Sequence, residues 1–255
     1  MSFSDWDRWQ KIRKIVLFSG GKDSLATLAL CGEHYSSGLE AVYVDTSSGF
    51  FPEATEYIKE VCEALSTPLK ILKSPDFFDL ASRWGFPSIK SRWCCRALKI
   101  YPIRSYLQTI NEPKVVFSGR RASESRARRD WFERRLKAGH DPAISYSRPF
   151  RCFTIEPIWD WSNQQVDEYL KSRSLPLNPL YATGIHHLTC PCLIFKNLKE
   201  IERVRVIKPE LFNRYKELES SLKNKHWKPI RKVNEYISFR NLERQQLIDR
   251  WCAAQ

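Results

Sequence analysis

The stretch Lys14-Ile15-Val16-Leu17-Phe18-Ser19-Gly20-Gly21-Lys22-Asp23-Ser24 decides the architecture. Its first five residues are a short apolar run rich in β-formers. The run stops at two glycines, and Leu25, Leu28, Ala29 and Cys31 then recur on or near one helical face. Strand, glycine turn and helix follow one another without a gap. Glycines let backbone N–H groups close on an anion, and the helix N-terminus favours negative charge there. Ser19 and Ser24 offer hydroxyls, and Lys22 offers a cation for a polyphosphate. Asp23 would repel phosphate by itself, so a Mg²⁺ ion or an N-cap role is expected to offset it. The spacing departs from the Walker pattern G-x-x-x-x-G-K-[ST], which excludes that kind of phosphotransferase loop.

Outward from this stretch the same alternation continues. Leu39–Asp45 reads as a second strand ending on a carboxylate, and Pro52 with Glu53 opens a helix through Leu65. Leu69–Leu72 is a third strand. A helix from about Arg96 to Thr109 leads to a fourth, Val115–Gly119, and Phe153–Pro157 makes a fifth. Alternating strands and helices predict an α/β fold: a mainly parallel sheet of about five strands with helices on both faces. Ligands in such sheets bind at the carboxyl ends of the strands, where Ser19, Asp45 and Gly119 fall. Pro75 to Trp93 reads as an irregular loop covering the site. From 197 to 255 there is helical periodicity, many charges and no strand signal, which predicts residues 1–195 as the nucleotide domain and 196–255 as a small helical appendage.

The chain has 255 residues, a formal net charge of +13, 42% hydrophobic residues and 13% aromatics. That is too apolar for disorder, and no run of eighteen apolar residues could span a membrane. The N-terminus has no apolar stretch before Ile15, so the reading is a cytoplasmic protein without a secretory signal. The charge points to a polyanionic partner. Eight cysteines in an intracellular chain point to metal ligands or reactive thiols more than to disulfides.

Those cysteines are grouped. Cys94-Cys95 opens a helix, and Cys190-Pro191-Cys192 follows 95 residues later, so two close pairs can supply four ligands to one centre. Structural zinc takes its pairs at C-x₂₋₄-C, for which adjacent cysteines are awkward. A four-thiolate iron–sulfur cluster suits them better. Zinc, four metal-free thiols and a Cys190–Cys192 redox disulfide remain the alternatives. Cys31 and Cys62 lie on apolar helix faces and read as core.

Ser19–Ser24 resembles the pyrophosphate loop of the adenine-nucleotide α-hydrolase-like (PP-loop ATP pyrophosphatase) superfamily, whose Rossmann-like enzymes cleave ATP to AMP and pyrophosphate. Further motifs resemble the phosphoadenosine phosphosulfate (PAPS) reductase family over residues 14–195. They are Cys94, Cys95, Lys99 and Pro102; Gly119, Arg121, Glu124, Ser125 and Arg128 in its G-x-R-x-x-[EQ]-S-x-x-R pattern; Pro157, Trp161, Val166 and Tyr169; and Asn178-Pro179-Leu180-Tyr181 before Gly184. The second cysteine pair departs from the family's usual C-x-x-C. The Glu-Cys-Gly-[IL]-His motif of sulfonucleotide reductases is missing from the sequence, and Cys252 lacks its neighbours.

This resemblance implies ATP held on Ser19–Ser24 with Mg²⁺, Asp45 near the ribose, adenine or metal, and Gly119, Arg121, Glu124 and Ser125 at the nucleotide. Lys22, Asp23, Arg121 and Arg128 carry the chemistry, and Cys94, Cys95, Cys190 and Cys192 hold a [4Fe-4S] cluster. A complete loop with Lys22 is similar to that of the iron–sulfur, DNA-phosphorothioation sulfurtransferase branch, which implies adenylation and then thiolation of DNA or tRNA. The sulfur donor would be a protein such as a cysteine desulfurase. Sulfonucleotide reduction with thioredoxin is the alternative, tested by Cys252; a non-catalytic subunit of a modification or defence complex is a third, and a homodimer is open. Between Arg120 and Lys137 eight basic residues face three acidic ones. There Trp131 and Phe132 either stack on bases or pack the helix. The run Lys223, Lys225, Lys228, Arg231, Lys232 with His226 and Trp227 carries the same ambiguity. His186 and His187 read as loop residues or ligands.

Overall fold

The computed structural model describes residues 5–47, 49–88, 91–185, 190, 192, 198–223, 231–232 and 235–236. His186, His187, His226, Trp227 and Cys252 lie outside them, as does the boundary expected near residue 195.

Among the described residues the main sheet has six strands in the order β3-β2-β1-β4-β6-β5. These are β1 (Arg13–Leu17), β2 (Leu39–Asp45), β3 (Leu69–Lys73), β4 (Lys114–Phe117), β5 (Ile144–Ser147) and β6 (Cys152–Ile155). All pairs are parallel except β5 with β6. The expected five strands are present, and β5 is one more. It is an antiparallel edge strand whose side chains are half-buried or exposed, so it lacks the apolar run of a strand covered on both faces.

The central strand is apolar because helices cover both its sides. Val16, Phe117 and Ile155 pack with Leu25, Leu28, Ile58 and Val166, which come from α1 (Lys22–His34), α2 (Pro52–Ala64) and α7 (Asn163–Ser172). Ile15, Val42 and Val116 pack on the opposite face with Ile103 and Leu107 of α5 (Tyr101–Gln108). Cys31 and Cys62 are core residues, as expected.

Two expectations are corrected. The segment read as an irregular loop contains α3 (Phe77–Trp84), whose N-cap Asp76 accepts from the amide of Asp79. The C-terminal region, α8 (Leu198–Ile207) and α9 (Pro209–Lys223), also carries a short antiparallel pair, β7 (Arg231–Lys232) with β8 (Glu235–Tyr236). The helix expected to open at the Cys94-Cys95 pair does so, as α4 (Trp93–Cys95), and passes through a π-turn, Arg96–Ile100, before α5. A third apolar cluster joins α3, the cysteine segments, α8 and α9 through Phe77, Phe78, Cys94, Cys192, Ile201 and Tyr215. No helix among the described residues is long and apolar enough to cross a membrane.

Candidate nucleotide and sulfur site

The phosphate loop leaves β1 and enters α1. Gly20 has φ +77°, a conformation that costs glycine little, and Gly21 is the N-cap of α1. Ser24 Oγ accepts from Ser19 N at 3.2 Å, lies 3.1 Å from Ser19 Oγ and donates to Gly21 O at 2.9 Å. These bonds close the loop on itself.

The charge of Asp23 is offset by Arg121, which replaces the expected N-cap role. Arg121 is buried and donates from Nε to Asp23 Oδ1 at 2.9 Å, from Nη1 to Ser123 Oγ and Trp161 O, and from Nη2 to Asn163 Oδ1. A guanidinium has five N–H donors in a fixed fork, and this one is engaged by protein acceptors. Arg121 was expected on the nucleotide phosphates; here it ties the loop after β4 to α1. Gly119 serves the same junction: a Cβ there would stand 2.5 Å from Asp23 O and 2.9 Å from Ser24 N. Only glycine lets the two backbones approach so closely.

Lys22 Nζ pairs with Asp167 Oδ1 of α7 at 2.8 Å, with both side chains partly exposed. Its backbone N–H donates to Tyr181 Oη at 3.3 Å. Asp45 ends β2 and accepts from the amide and hydroxyl of Ser47 at 2.9 and 2.7 Å. Glu124 accepts from Arg121 N at 2.7 Å and pairs with Arg128, while Ser125 caps α6 (Arg126–Lys137) by accepting from Arg128 N.

A cavity of about 870 Å³ opens beside Ser19, along the ends of β1, β2, β4 and β6. Arg120, Arg128, Arg135 and Arg148 make its wall strongly basic. Trp131 carries Arg120 and Arg135 at 4.9 and 5.2 Å from its ring centroid, so its face is matched to cations within the fold. Phe132 is fully buried against Trp159, which settles it as packing. Glu156, after β6, is buried in the same wall. Burial pushes its carboxyl up to about 7 against the opposing pull of Arg120.

The cysteine pairs meet, as their spacing allowed. Cys190 Sγ lies 2.7 Å from Cys192 Sγ, and Cys94 shares hydrogen bonds with Cys192 and Cys95. The bond from Cys94 lowers the Cys95 thiol to about 7. Phe77, Trp93 and Tyr215 belong to the apolar shell around these sulfurs. Among the described residues no group of three or more His, Cys, Asp or Glu is set to hold one metal ion. A [4Fe-4S] cluster asks for four thiolates, one per iron, and this donor set fits it in kind and number.

Sequence reasoning left four participants without a site role. The turn Pro179–Thr183 brings Tyr181 onto the loop amide, and Asn178 Nδ2 would lie 3.2 Å from a Cβ on Gly20. Asn178-Pro179-Leu180-Tyr181 was visible as a motif, but its contact with the loop spans about 160 residues. Asp167 and Glu156 carried no local signal.

The model of the phosphoadenosine phosphosulfate reductase domain matches residues 13–196, and the chain belongs to that family. Two uncharacterized proteins of Methanocaldococcus jannaschii are 26% identical over 221 residues (86% of this chain, 44% of theirs) and 26% over 198 residues (78% and 45%). The phosphoadenosine 5′-phosphosulfate reductase of Proteus mirabilis is 27% identical over 149 residues, 54% of each chain. The chain thus spans about half the length of the curated relatives it matches. Among solved structures, PAPS reductase from Candida auris in a phosphate complex has a TM-score of 0.49 at 20% identity, covering 71% of this chain and 84% of that one. The U34-tRNA thiolase NcsA of Methanococcus maripaludis with its [4Fe-4S] cluster has a TM-score of 0.49 at 16% identity, covering 90% and 77%.

Proposed function

Starting from membership of the PAPS reductase domain family, we propose that this chain is an ATP-using sulfurtransferase that adenylates a nucleic acid, DNA or tRNA, and replaces an oxygen with sulfur. The observation that carries this reading is the complete Ser19–Ser24 loop, whose first residue lines a basic cavity large enough for a nucleotide. The loop amides and the N-terminus of α1 hold the β and γ phosphates. Lys22 leaves Asp167 to reach them, and Arg128 faces the α-phosphate from the cavity wall. Asp45 serves the ribose or a Mg²⁺ ion. Arg121 acts through Asp23, holding the loop in shape.

A substrate oxygen attacks the α-phosphorus, an O–P bond forms, and pyrophosphate leaves with the electrons of the broken P–O bond. Arranged cations stabilise that developing charge without reorganising. A sulfide-level sulfur nucleophile then attacks the activated atom and AMP leaves. A [4Fe-4S] cluster on Cys94, Cys95, Cys190 and Cys192 would supply Lewis-acidic iron to bind sulfide, which a thiol reductant releases from the persulfide of a donor such as a cysteine desulfurase as the thiol becomes a disulfide. Incubation of the full chain with ATP, Mg²⁺ and tRNA or DNA is expected to release pyrophosphate and AMP. Failure with both nucleic acids sinks the reading.

The similarity to named PAPS reductases favours a second reading: release of sulfite from a sulfonucleotide with thioredoxin as reductant. Sulfite release that disappears in Cys252→Ser supports it, and indifference to that change supports the transferase.

A further inference from the structure

The sheet reverses its order between β1 and β4, so the cavity straddles the switch point and has two halves. One half, beside Ser19, belongs to the phosphate loop. The other lies beyond β4, where Ser118, Arg120, Trp131, Arg135 and Glu156 meet. Glu156 is 1% exposed. Its Oε1 accepts from Arg120 Nη1 at 3.3 Å and lies 3.4 Å from Ser118 Oγ, whereas its Oε2 has no hydrogen-bond partner among the described residues. A buried carboxylate oxygen without a donor costs more than almost any other polar arrangement.

The vacancy is chemical: this oxygen needs an N–H or O–H. The triphosphate arm of ATP offers neither and would be repelled, and only its adenosine carries such donors. An acceptor nucleoside offers both, on a base edge or a ribose, and, unlike the adenosine of ATP, it is flanked on both sides by chain phosphates that match Arg120 and Arg135 beyond β4. We propose that the β4–β6 half of the cavity is the pocket for the acceptor nucleotide, and that Glu156 Oε2 fixes it by accepting a hydrogen bond from a base N–H or ribose O–H. This assignment rests on the transferase reading. It makes Glu156 a specificity residue in contact with the acceptor, separate from the ATP site.

The ionised carboxylate is the accepting form. Arg120 from the loop after β4 and Arg128 and Arg135 from α6 are the charged groups that act on it, and Ser118 donates to it. Acceptor use should therefore fall as the pH drops through about 7.

The test uses full-length wild type, Glu156→Gln and Glu156→Asp, with bulk unmodified tRNA transcripts and plain duplex DNA as probes. Acceptor-dependent pyrophosphate release is followed against acceptor concentration and pH, ATP affinity is measured by equilibrium dialysis, and unfolding midpoints confirm folding. The expected result for Glu156→Gln is a loss of about 10- to 100-fold in kcat/KM for the acceptor, the scale of one charge-assisted bond. Its ATP affinity should be unchanged and its acidic limb lost, with partial recovery in Glu156→Asp. Weakened ATP binding, or wild-type acceptor kinetics in folded Glu156→Gln, overturns the assignment while leaving the transferase reading intact. A wild type that releases no pyrophosphate with either nucleic acid overturns both.

Discussion

The phosphate loop and the cysteine centre sit next to each other and are built on opposite plans. The loop is cross-tied by its own protein: Ser19 to Ser24, Asp23 to Arg121, Lys22 to Asp167 and Tyr181, with Gly119 pressed against the first turn of α1. The four sulfurs have mainly one another, inside a shell of aromatic rings. A loop stabilised internally keeps its shape whether or not a nucleotide is present. A thiol cluster takes its identity from what it holds.

The sharpest way to break this contrast is to remove a sulfur. Anaerobically purified wild type should contain iron and acid-labile sulfide, and Cys95→Ser or Cys190→Ser should lose nearly all of both. Equal zinc in all three proteins, without iron, would defeat the cluster. Next is Arg121→Met, which strands Asp23, Asn163 and Trp161 O. It should lower unfolding free energy by about 3–5 kcal/mol in urea titrations, as expected for a broken buried ion pair. An effect below about 1 kcal/mol would mean that Arg121 does not tie the loop.

The pH dependence is third. Burial raises the folded-state pKa of Glu156 from 4.5 to about 7. Between those values the folded chain holds a proton that the unfolded chain has lost, so stability falls as pH rises through this window and then levels off. The total is of order 3 kcal/mol, and Glu156→Gln should flatten that slope. Gly119→Ala follows, with a cost of about 1–3 kcal/mol from backbone overlap and a matching loss of nucleotide affinity. The smallest effect is Asp167→Asn. It should change stability by less than about 1 kcal/mol, because the pair is partly exposed, while tightening ATP binding by freeing Lys22.

Much of this plan was legible in the sequence, and the gaps have physical causes. The central parallel strands β1, β2 and β4 announced themselves because burial on both faces demands apolar runs. β5 did not, since Ile144-Ser145-Tyr146-Ser147 is a half-exposed edge. α3 was obscured by Pro75 and Pro87 and by its aromatic residues, although Asp76 three residues before Asp79 was a usable cap signal. In the site, the loop and both cysteine pairs could be read because each is local. The turning of Arg121 toward Asp23 spans 98 residues, and the pairing of Glu156 with Ser118 and Arg120 joins the ends of two strands across 38 and 36 residues. Residue type gives no hint of either.

The π-turn at Arg96–Ile100 has its own consequence. An α-helix advances about 100° per residue, and a π-turn fits one more residue into a turn than the α-helix does. It therefore works as a phase shifter between two ends of one rod. Ile103 and Leu107, on the far side, lock onto the sheet, while Cys94 and Cys95, on the near side, are rotated toward the second thiol pair. Removing one residue from the turn would restore the ordinary pitch and swing the two cysteines about a quarter-turn out of alignment, with every side chain chemically intact.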